Sequence, residues 1–299
     1  MRFNFYKVFT ILFVVVVSSC GAPKQIQNLS LEAKQANDSK EYAKALEAYD
    51  QVIEYYSGKN KVADGAIYEG AGIAAYETGD VKKSIEYLEQ AKQTPTHGEK
   101  TISTLALAYK QIDNLSKELN NLELFVSKYS ESHNINNVNA QLFDAYFRSE
   151  NWDLALNIWS KLSTENQEDL KNLTQFMKVN CKLEKDKECG ELAEKILKSD
   201  KSNVDALEVL AEKYFWLAEK SYQKEMKDYE QNRTAKQYKK LLKELEIINA
   251  NYRTSRDYFL MLYKLNPDPK FANYLGNIFT RFEVKEKADY YYRKAKENN

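Results

Sequence analysis

The fold is decided by residues 68–91, which read YEGAGIAAYETGDVKKSIEYLEQA. Small residues, Ala71 and Gly72, stand in the middle of its first half, and the pair Gly79-Asp80 separates that half from the second. Small side chains let two helices approach closely, and a glycine relieves the tight corner between them. The stretch therefore predicts a helical hairpin.

The same order of small, aromatic and turn residues recurs about every 34 residues along the chain. The matching positions before and after the first hairpin are Tyr42, Ala45, Leu46, Tyr49 and Val52; Leu105, Ala106 and Tyr109; Leu142, Ala145, Tyr146, Trp152 and Trp159; a weaker copy over 173–200; and Tyr274, Gly276, Ala288 and Tyr292. This pattern resembles the tetratricopeptide repeat (TPR) signature. The resemblance implies an all-α protein, a TPR α-solenoid forming a right-handed superhelix of about six to seven helical hairpins.

One repeat, over residues 203–267, is longer than the others. Apolar residues step by three and four from Tyr238 to Leu262 without a break, so both of its helices are expected to be extended. Sharing the insertion between two helices predicts a coiled-coil-like helical arm of about 24 Å, with residues 231–234 at its tip. The alternative is that the arm folds back as a cap on the C-terminal repeat, over 268–299.

The N-terminus reads as an export signal, because Arg2 and Lys7 precede an apolar run over 8–17. The residues Val17-Ser-Ser-Cys20 resemble the lipobox of bacterial lipoproteins, which implies a signal peptide over 1–19 and lipidation, for example palmitate, at Cys20. An ordinary secretory signal with an incidental cysteine is the alternative. Residues 20–30 are expected to form a polar tether, and the repeats to occupy 31–202 before the long one.

Two further cysteines, Cys181 and Cys189, flank one predicted hairpin turn. A disulfide between them is geometrically plausible in an oxidising periplasm, and two separate reduced thiols are the alternative. With His97 and His133 far apart, no metal site, cofactor or catalytic group is predicted. No nucleophile or phosphate-binding motif is found either, so we expect no enzyme and no small-molecule substrate.

Charge argues against nucleic acid as a partner. The chain has 44 basic and 44 acidic residues, so it has no overall positive field with which to attract a phosphate backbone. Binding to other proteins is the activity that the TPR resemblance implies.

The resemblance also implies where partners bind, since the first helix of each TPR commonly lines a groove. Matching this chain position by position predicts partner-binding side chains at Glu69, Ile73, Tyr76, Glu77, Leu107, Lys110, Gln111, Asp144, Phe147 and Arg148. Interfaces favour aromatic residues and arginine, which singles out Tyr76, Phe147 and Arg148. The alternative for Tyr76 and Phe147 is that they only pack between repeats.

Two functions fit these expectations. The first is a scaffold, lipid-anchored in the cell envelope at the outer membrane and facing the periplasm, that binds envelope assembly or secretion components or their clients. The second is an accessory lipoprotein of nutrient or glycan uptake. The second needs exposed aromatic platforms, for which the repeats leave little sequence.

Overall fold

The computed structural model describes residues 23–95 and 97–297, and these form fifteen α-helices and no β-strand. The helices are α1 (Lys24–Asp38), α2 (Tyr42–Ser57), α3 (Gly65–Glu77), α4 (Val81–Lys92), α5 (Glu99–Gln111), α6 (Leu115–Lys128), α7 (Ile135–Arg148), α8 (Trp152–Trp159), α9 (Thr164–Glu168), α10 (Leu170–Lys182), α11 (Asp186–Ser199), α12 (Val204–Gln231), α13 (Ala235–Leu265), α14 (Pro269–Arg281) and α15 (Lys285–Glu297). The predicted all-α class is confirmed.

In the described chain, six turns of three residues, each joining the two helices of one hairpin, share a residue with a left-handed backbone, and Asn60 in the longer α2–α3 connection also has one. The residues are Lys40, Gly79, Asp113, Glu150, Glu184 and Glu283, with φ between 55° and 86°. Only one of the six is glycine, although a left-handed backbone costs other residues about 1–2 kcal/mol. The turn geometry that the repeat requires therefore outweighs the backbone preference of the individual residues.

The helices group into two compact units, one ending at Asn114 and the other beginning at Leu115. In the first unit, close packing depends on the predicted small residues. A Cβ added to Gly72 would lie 2.5 Å from Cγ of Leu88, and one added to Gly70 would lie 2.3 Å from the Tyr49 hydroxyl. These contacts explain why helix α3 has glycine at positions 70 and 72.

In the second unit, aromatic rings join the first helices of successive hairpins. Trp159 on α8 stacks on Phe176 of α10, with ring centroids 4.0 Å apart, and Phe143 of α7 contacts the same tryptophan at 5.1 Å. Phe143 is completely buried. The short helix α8 thus bridges α7 and α10.

The long hairpin consists of α12 and α13, of 28 and 31 residues. Its base is not free, because Phe215 and Tyr252 pack in one core with Phe279 of α14. From Lys224 to Glu244, the described side-chain contacts stay within the hairpin. The free part therefore extends about 12–15 Å at 1.5 Å per residue, shorter than the 24 Å predicted.

The predicted tether over 20–30 needs a correction, because helix α1 begins at Lys24. The reason is that Leu29 packs against the core of the first unit, in helical spacing with Ala33 and Ala36. Cys20 and the predicted signal peptide over 1–19 lie outside the described residues. Among the described helices, none combines the length and the apolar character needed to span a bilayer.

Candidate functional site

In the first unit, two predicted groove residues on α3 take part in internal packing. Glu69 accepts hydrogen bonds from the backbone N–H of Gly98, at 3.2 Å, and from the Thr101 hydroxyl. Ile73 packs against a buried cluster that includes Leu105. Both side chains therefore hold α3 against α5.

The other predicted residues of this unit form a mixed surface. Tyr76 is half-buried, and burial, followed by the charge of Glu77, raises the pKa of its hydroxyl. Leu107 is also half-buried, whereas Lys110 and Gln111 are exposed. The surface has one aromatic ring beside exposed polar groups.

In the second unit, Asp144 and Arg148 belong to an ion network among α6, α7 and α10. Nε of Arg148 donates to Asp144 at 3.0 Å, and Nη2 donates to Glu118, whose side chain is 2% exposed. Asp144 also accepts from Lys171 at 2.9 Å and from Gln175 at 3.0 Å. Burial opposes the charge of Arg148, but its two carboxylate partners outweigh that effect and raise its pKa. These contacts give both residues a structural role.

Phe147 lies at one end of a groove. Its ring meets Trp152 edge to face at 5.8 Å, and the two line a cleft of about 420 Å³ with residues of α10 and α12, among them Cys181 and Val209. Of the three residues singled out for partner binding, Phe147 lines this cleft.

A second cleft, of about 800 Å³, continues from the first, since both are lined by Cys181, Val209 and Glu212. Cys181 forms a disulfide with Cys189 across the α10–α11 turn. This covalent link holds the two helix ends that form one wall of the groove.

One face of α12 forms the floor of the groove. Residues that recur there at spacings of three, four or seven are Asp205, Val209, Glu212, Trp216 and Gln223. Trp216 is 48% exposed, and its ring meets Phe215 edge to face at 5.2 Å. A tryptophan with half of its surface in water is a candidate contact for a ligand.

Two more clefts, of about 730 and 330 Å³, lie beyond the tryptophan. They share Phe215, Trp216 and Asn277, and the larger one also contains Asn273. Asn273 and Asn277 are four residues apart on α14, so both amides face the same side of the helix. The groove therefore continues from Phe147 to Asn277 across four hairpins.

Charged side chains along the groove are largely neutralised within the protein. Lys270 contacts Glu208 and Glu212, the latter at 2.7 Å, and Arg281 contacts Glu219 at 2.6 and 3.0 Å. Burial disfavours the charge of Lys270, but its two carboxylate partners outweigh this and raise its pKa. The groove thus offers apolar and amide groups between ion pairs.

Sequence reasoning missed Trp216, Asn273 and Asn277. A signal for Trp216 was present, because the buried residues Leu207 and Ala211 fix the core face of α12 and Trp216 lies on the opposite side. The two asparagines had no such signal, since exposed amides are common on helices.

The described residues contain no cluster of three His, Cys, Asp or Glu side chains with metal-ligand geometry. His97 precedes α5, where Nδ1 lies 2.8 Å from the Thr94 carbonyl oxygen, and His133 is exposed between α6 and α7. The geometry of the groove supports binding and offers no nucleophile with an adjacent base.

No protein-family model matches the sequence, and no curated protein matches it. Solved structures do match. A protein from Bacteroides ovatus ATCC 8483 matches with 20% identity over 74% of this chain and 100% of its own, at a TM-score of 0.51. MamA AMB-1 matches with 18% identity over 59% of this chain and 92% of its own, at a TM-score of 0.51.

YrrB, a TPR protein with an unusual peptide-binding site, matches with 16% identity over 60% of this chain and 89% of its own, at a TM-score of 0.50. At these identities the likeness establishes the fold. Together with the paired helices, the close-packed small residues and the recurring turns, it shows that this chain has the tetratricopeptide repeat fold.

Proposed function

We propose that the chain is a non-enzymatic, lipid-anchored TPR protein that binds an extended segment of another protein in the groove of its second unit. The observation that carries the proposal is the continuity of the clefts from Phe147 past Trp216 to Asn277. An extended polypeptide advances about 3.3–3.6 Å per residue, so its successive side chains can enter successive clefts. A compact ligand would fill only one of them.

The side chains of the groove suit a polypeptide. Trp216 provides a large, rigid apolar surface of the kind that dominates binding energy at interfaces. Asn273 carries a donor and an acceptor, which match the N–H and C=O groups of an extended backbone; Asn277 offers its NH2 donor, since its Oδ1 already accepts from the Tyr292 hydroxyl at 2.9 Å. Because the neighbouring charges are already paired, we expect the bound segment to carry little net charge.

Location is the second part of the proposal. Lipidation of Cys20 would anchor the chain to a membrane, and several acyl chains make such an anchor effectively permanent. The disulfide between Cys181 and Cys189 supports an oxidising compartment such as the periplasm. We therefore propose a scaffold of envelope protein assembly or secretion at the outer membrane.

The anchor has a direct test. The Cys20→Ser variant should lose incorporation of labelled palmitate and leave the membrane fraction, because no acyl acceptor remains. Cys181→Ser is the matched control and should keep both. Unchanged labelling of the Cys20→Ser variant would refute the anchor without affecting the groove.

The groove is tested by photo-crosslinking in native membranes. A photoreactive amino acid at position 147 should yield a discrete protein adduct, and the same residue at Tyr290, which is 44% exposed and outside the groove, should not. Adding Trp216→Ala should lower the yield at 147 about 30-fold, as expected for a residue that contributes 2 kcal/mol or more to binding. Equal yields at 147 and 290 would refute the proposal.

A specific observation supports the alternative, glycan uptake. An exposed tryptophan beside two amides can stack on the apolar face of a sugar ring while the amides bind its hydroxyl groups. In that case Trp216→Ala would abolish retention of the full chain on immobilised polysaccharide. Crosslinking at position 147 would then give no protein adduct.

A further inference from the structure

The free end of the long hairpin has a composition unlike the rest of the chain. From Asn232 to Lys243 there are five basic residues and no acidic one, in a protein whose 44 basic residues are matched by 44 acidic ones. We call residues 224–244 the arm tip. The arm tip as a whole has seven basic and four acidic residues, and its positive excess lies in residues 232–243, which points to a local anionic partner.

Three lysines of the arm tip share one face of α13. Lys236, Lys239 and Lys243 follow one another at spacings of three and four, and none forms an ion pair within the part of the chain that the structure describes. Lys240, the remaining lysine in the first half of α13, binds Glu225 at 2.7 Å. The three lysines are therefore available to an external anion.

Large apolar side chains lie beside these lysines. Tyr238 is 49% exposed, Leu242 47% and Ile247 54%. Spacings of three and four residues bring Leu242 next to Lys239 and Ile247 next to Lys243. The outer surface of α13 thus carries apolar and cationic groups over about three turns, with one exposed acidic residue, Glu246, at the end nearer the base of the hairpin.

One of these lysines, Lys236, conflicts with local helix preference. The start of a helix carries a partial positive charge that favours acidic residues, yet the first turn of α13 has none and contains Lys236. A violation of a local rule is expected where function requires it. An anionic surface at the tip would relieve the conflict.

We infer that the arm tip binds the anionic headgroups of a lipid bilayer. Lysines that alternate with leucine, isoleucine and tyrosine are typical of helices that lie at a membrane interface, where the apolar groups enter the headgroup region and the ammonium groups contact phosphates. A nucleic acid would use the lysines but leave Leu242 and Ile247 in water. The inference does not depend on the groove.

The test compares two exposed asparagines at the opposite ends of α13, Asn232 at the tip and Asn266 at the base. The 31 residues between the turns separate these positions by about 46 Å. An environment-sensitive fluorophore is introduced at either position in the full chain, which is purified from cell membranes and reconstituted with vesicles. The vesicles contain either phosphatidylglycerol or only phosphatidylcholine.

A blue shift is expected for the label at 232 in phosphatidylglycerol vesicles, and none at 266 or in phosphatidylcholine vesicles. Each lysine near an anionic surface strengthens attachment about fivefold, so the combined variant Lys236→Gln/Lys239→Gln/Lys243→Gln should weaken it about a hundredfold. Leu242→Ser should reduce the shift without changing its dependence on lipid charge.

Three results would overturn the inference: an equal shift at both positions, an equal shift in neutral vesicles, or an unchanged shift in the lysine variant. Far-UV circular dichroism checks that the variants remain helical. An adduct at groove position 147 would be unaffected by any of these changes, so the two proposals fail independently.

Discussion

Replacing Arg148 with alanine removes the cation that Glu118 contacts inside the second unit. The Glu118 side chain is 2% exposed and that of Asp144 is 9% exposed, whereas Arg148 itself is 29% exposed. Asp144 keeps Lys171 as a partner, but the described contacts of Glu118 include no other cation. The substitution therefore leaves a buried carboxylate without its counter-ion.

Breaking a buried ion pair from one side costs about 3–5 kcal/mol. Because Arg148 keeps some contact with water, we expect the lower end of that range, about 3 kcal/mol. The loss is measured as the shift of the urea unfolding curve of the full chain, followed by circular dichroism. Hydrogen exchange should localise it to α6 and α7, since repeat proteins need not unfold as one unit.

Two control variants separate the loss of the buried ion pair from the loss of an exposed charge. Lys171→Ala removes a cation that is 68% exposed and should cost less than about 1 kcal/mol. Glu118→Gln added to the Arg148→Ala variant removes the unpaired charge and should restore about 1–2 kcal/mol. A loss below 1 kcal/mol for Arg148→Ala, or no recovery in the double variant, would refute the reasoning and return Arg148 to the surface available for partners.

Three further predictions concern stability. Glu150→Gly, at a turn residue with φ of 57°, should raise the free energy of unfolding by about 1 kcal/mol, measured in urea. Burial, followed by nearby carboxylate charges, raises the pKa of Tyr49 from 10.0 to about 12. The stability that the tyrosine contributes is thus present below pH 10 and lost as the pH rises through 12, and in thermal melts at rising pH Tyr49→Phe should lose less stability than the native chain. Replacing both Cys181 and Cys189 with alanine should cost about 2–3 kcal/mol in urea under oxidising conditions, and a cost that persists in excess dithiothreitol would contradict this.

The predictability of the site from sequence differs between residues. Phe147 was identified because its position in the repeat places it on the groove side of a first helix. Arg148 and Asp144 occupy equivalent positions, but their partners Glu118 and Gln175 come from helices about 30 residues away in sequence. No local sequence pattern predicts such a contact. Arg148 and Asp144 were therefore predicted to bind a partner, whereas in the structure they bind other side chains of the same chain.

The sequence by itself determined the helical class, the hairpins and their turns, and the presence of two long helices in one repeat. Each of these follows from the spacing of small and apolar residues within about one repeat length, and that spacing acts through local helix geometry and nearest-neighbour packing. The sequence left the state of Cys181 and Cys189 open between a disulfide and two reduced thiols, and the structure pairs them across the turn that brings their helix ends together.

Only the tertiary structure decided which exposed side chains meet. The groove arises where α7, α10, α12 and α14 lie beside one another, and Trp216 gains its surroundings from residues up to about 60 positions away. The packing of Phe215 and Tyr252 against Phe279 likewise set how much of the long hairpin stays free. Periodicity tells which face of a helix is buried, whereas the neighbours of the opposite face depend on the position of the other helices in space.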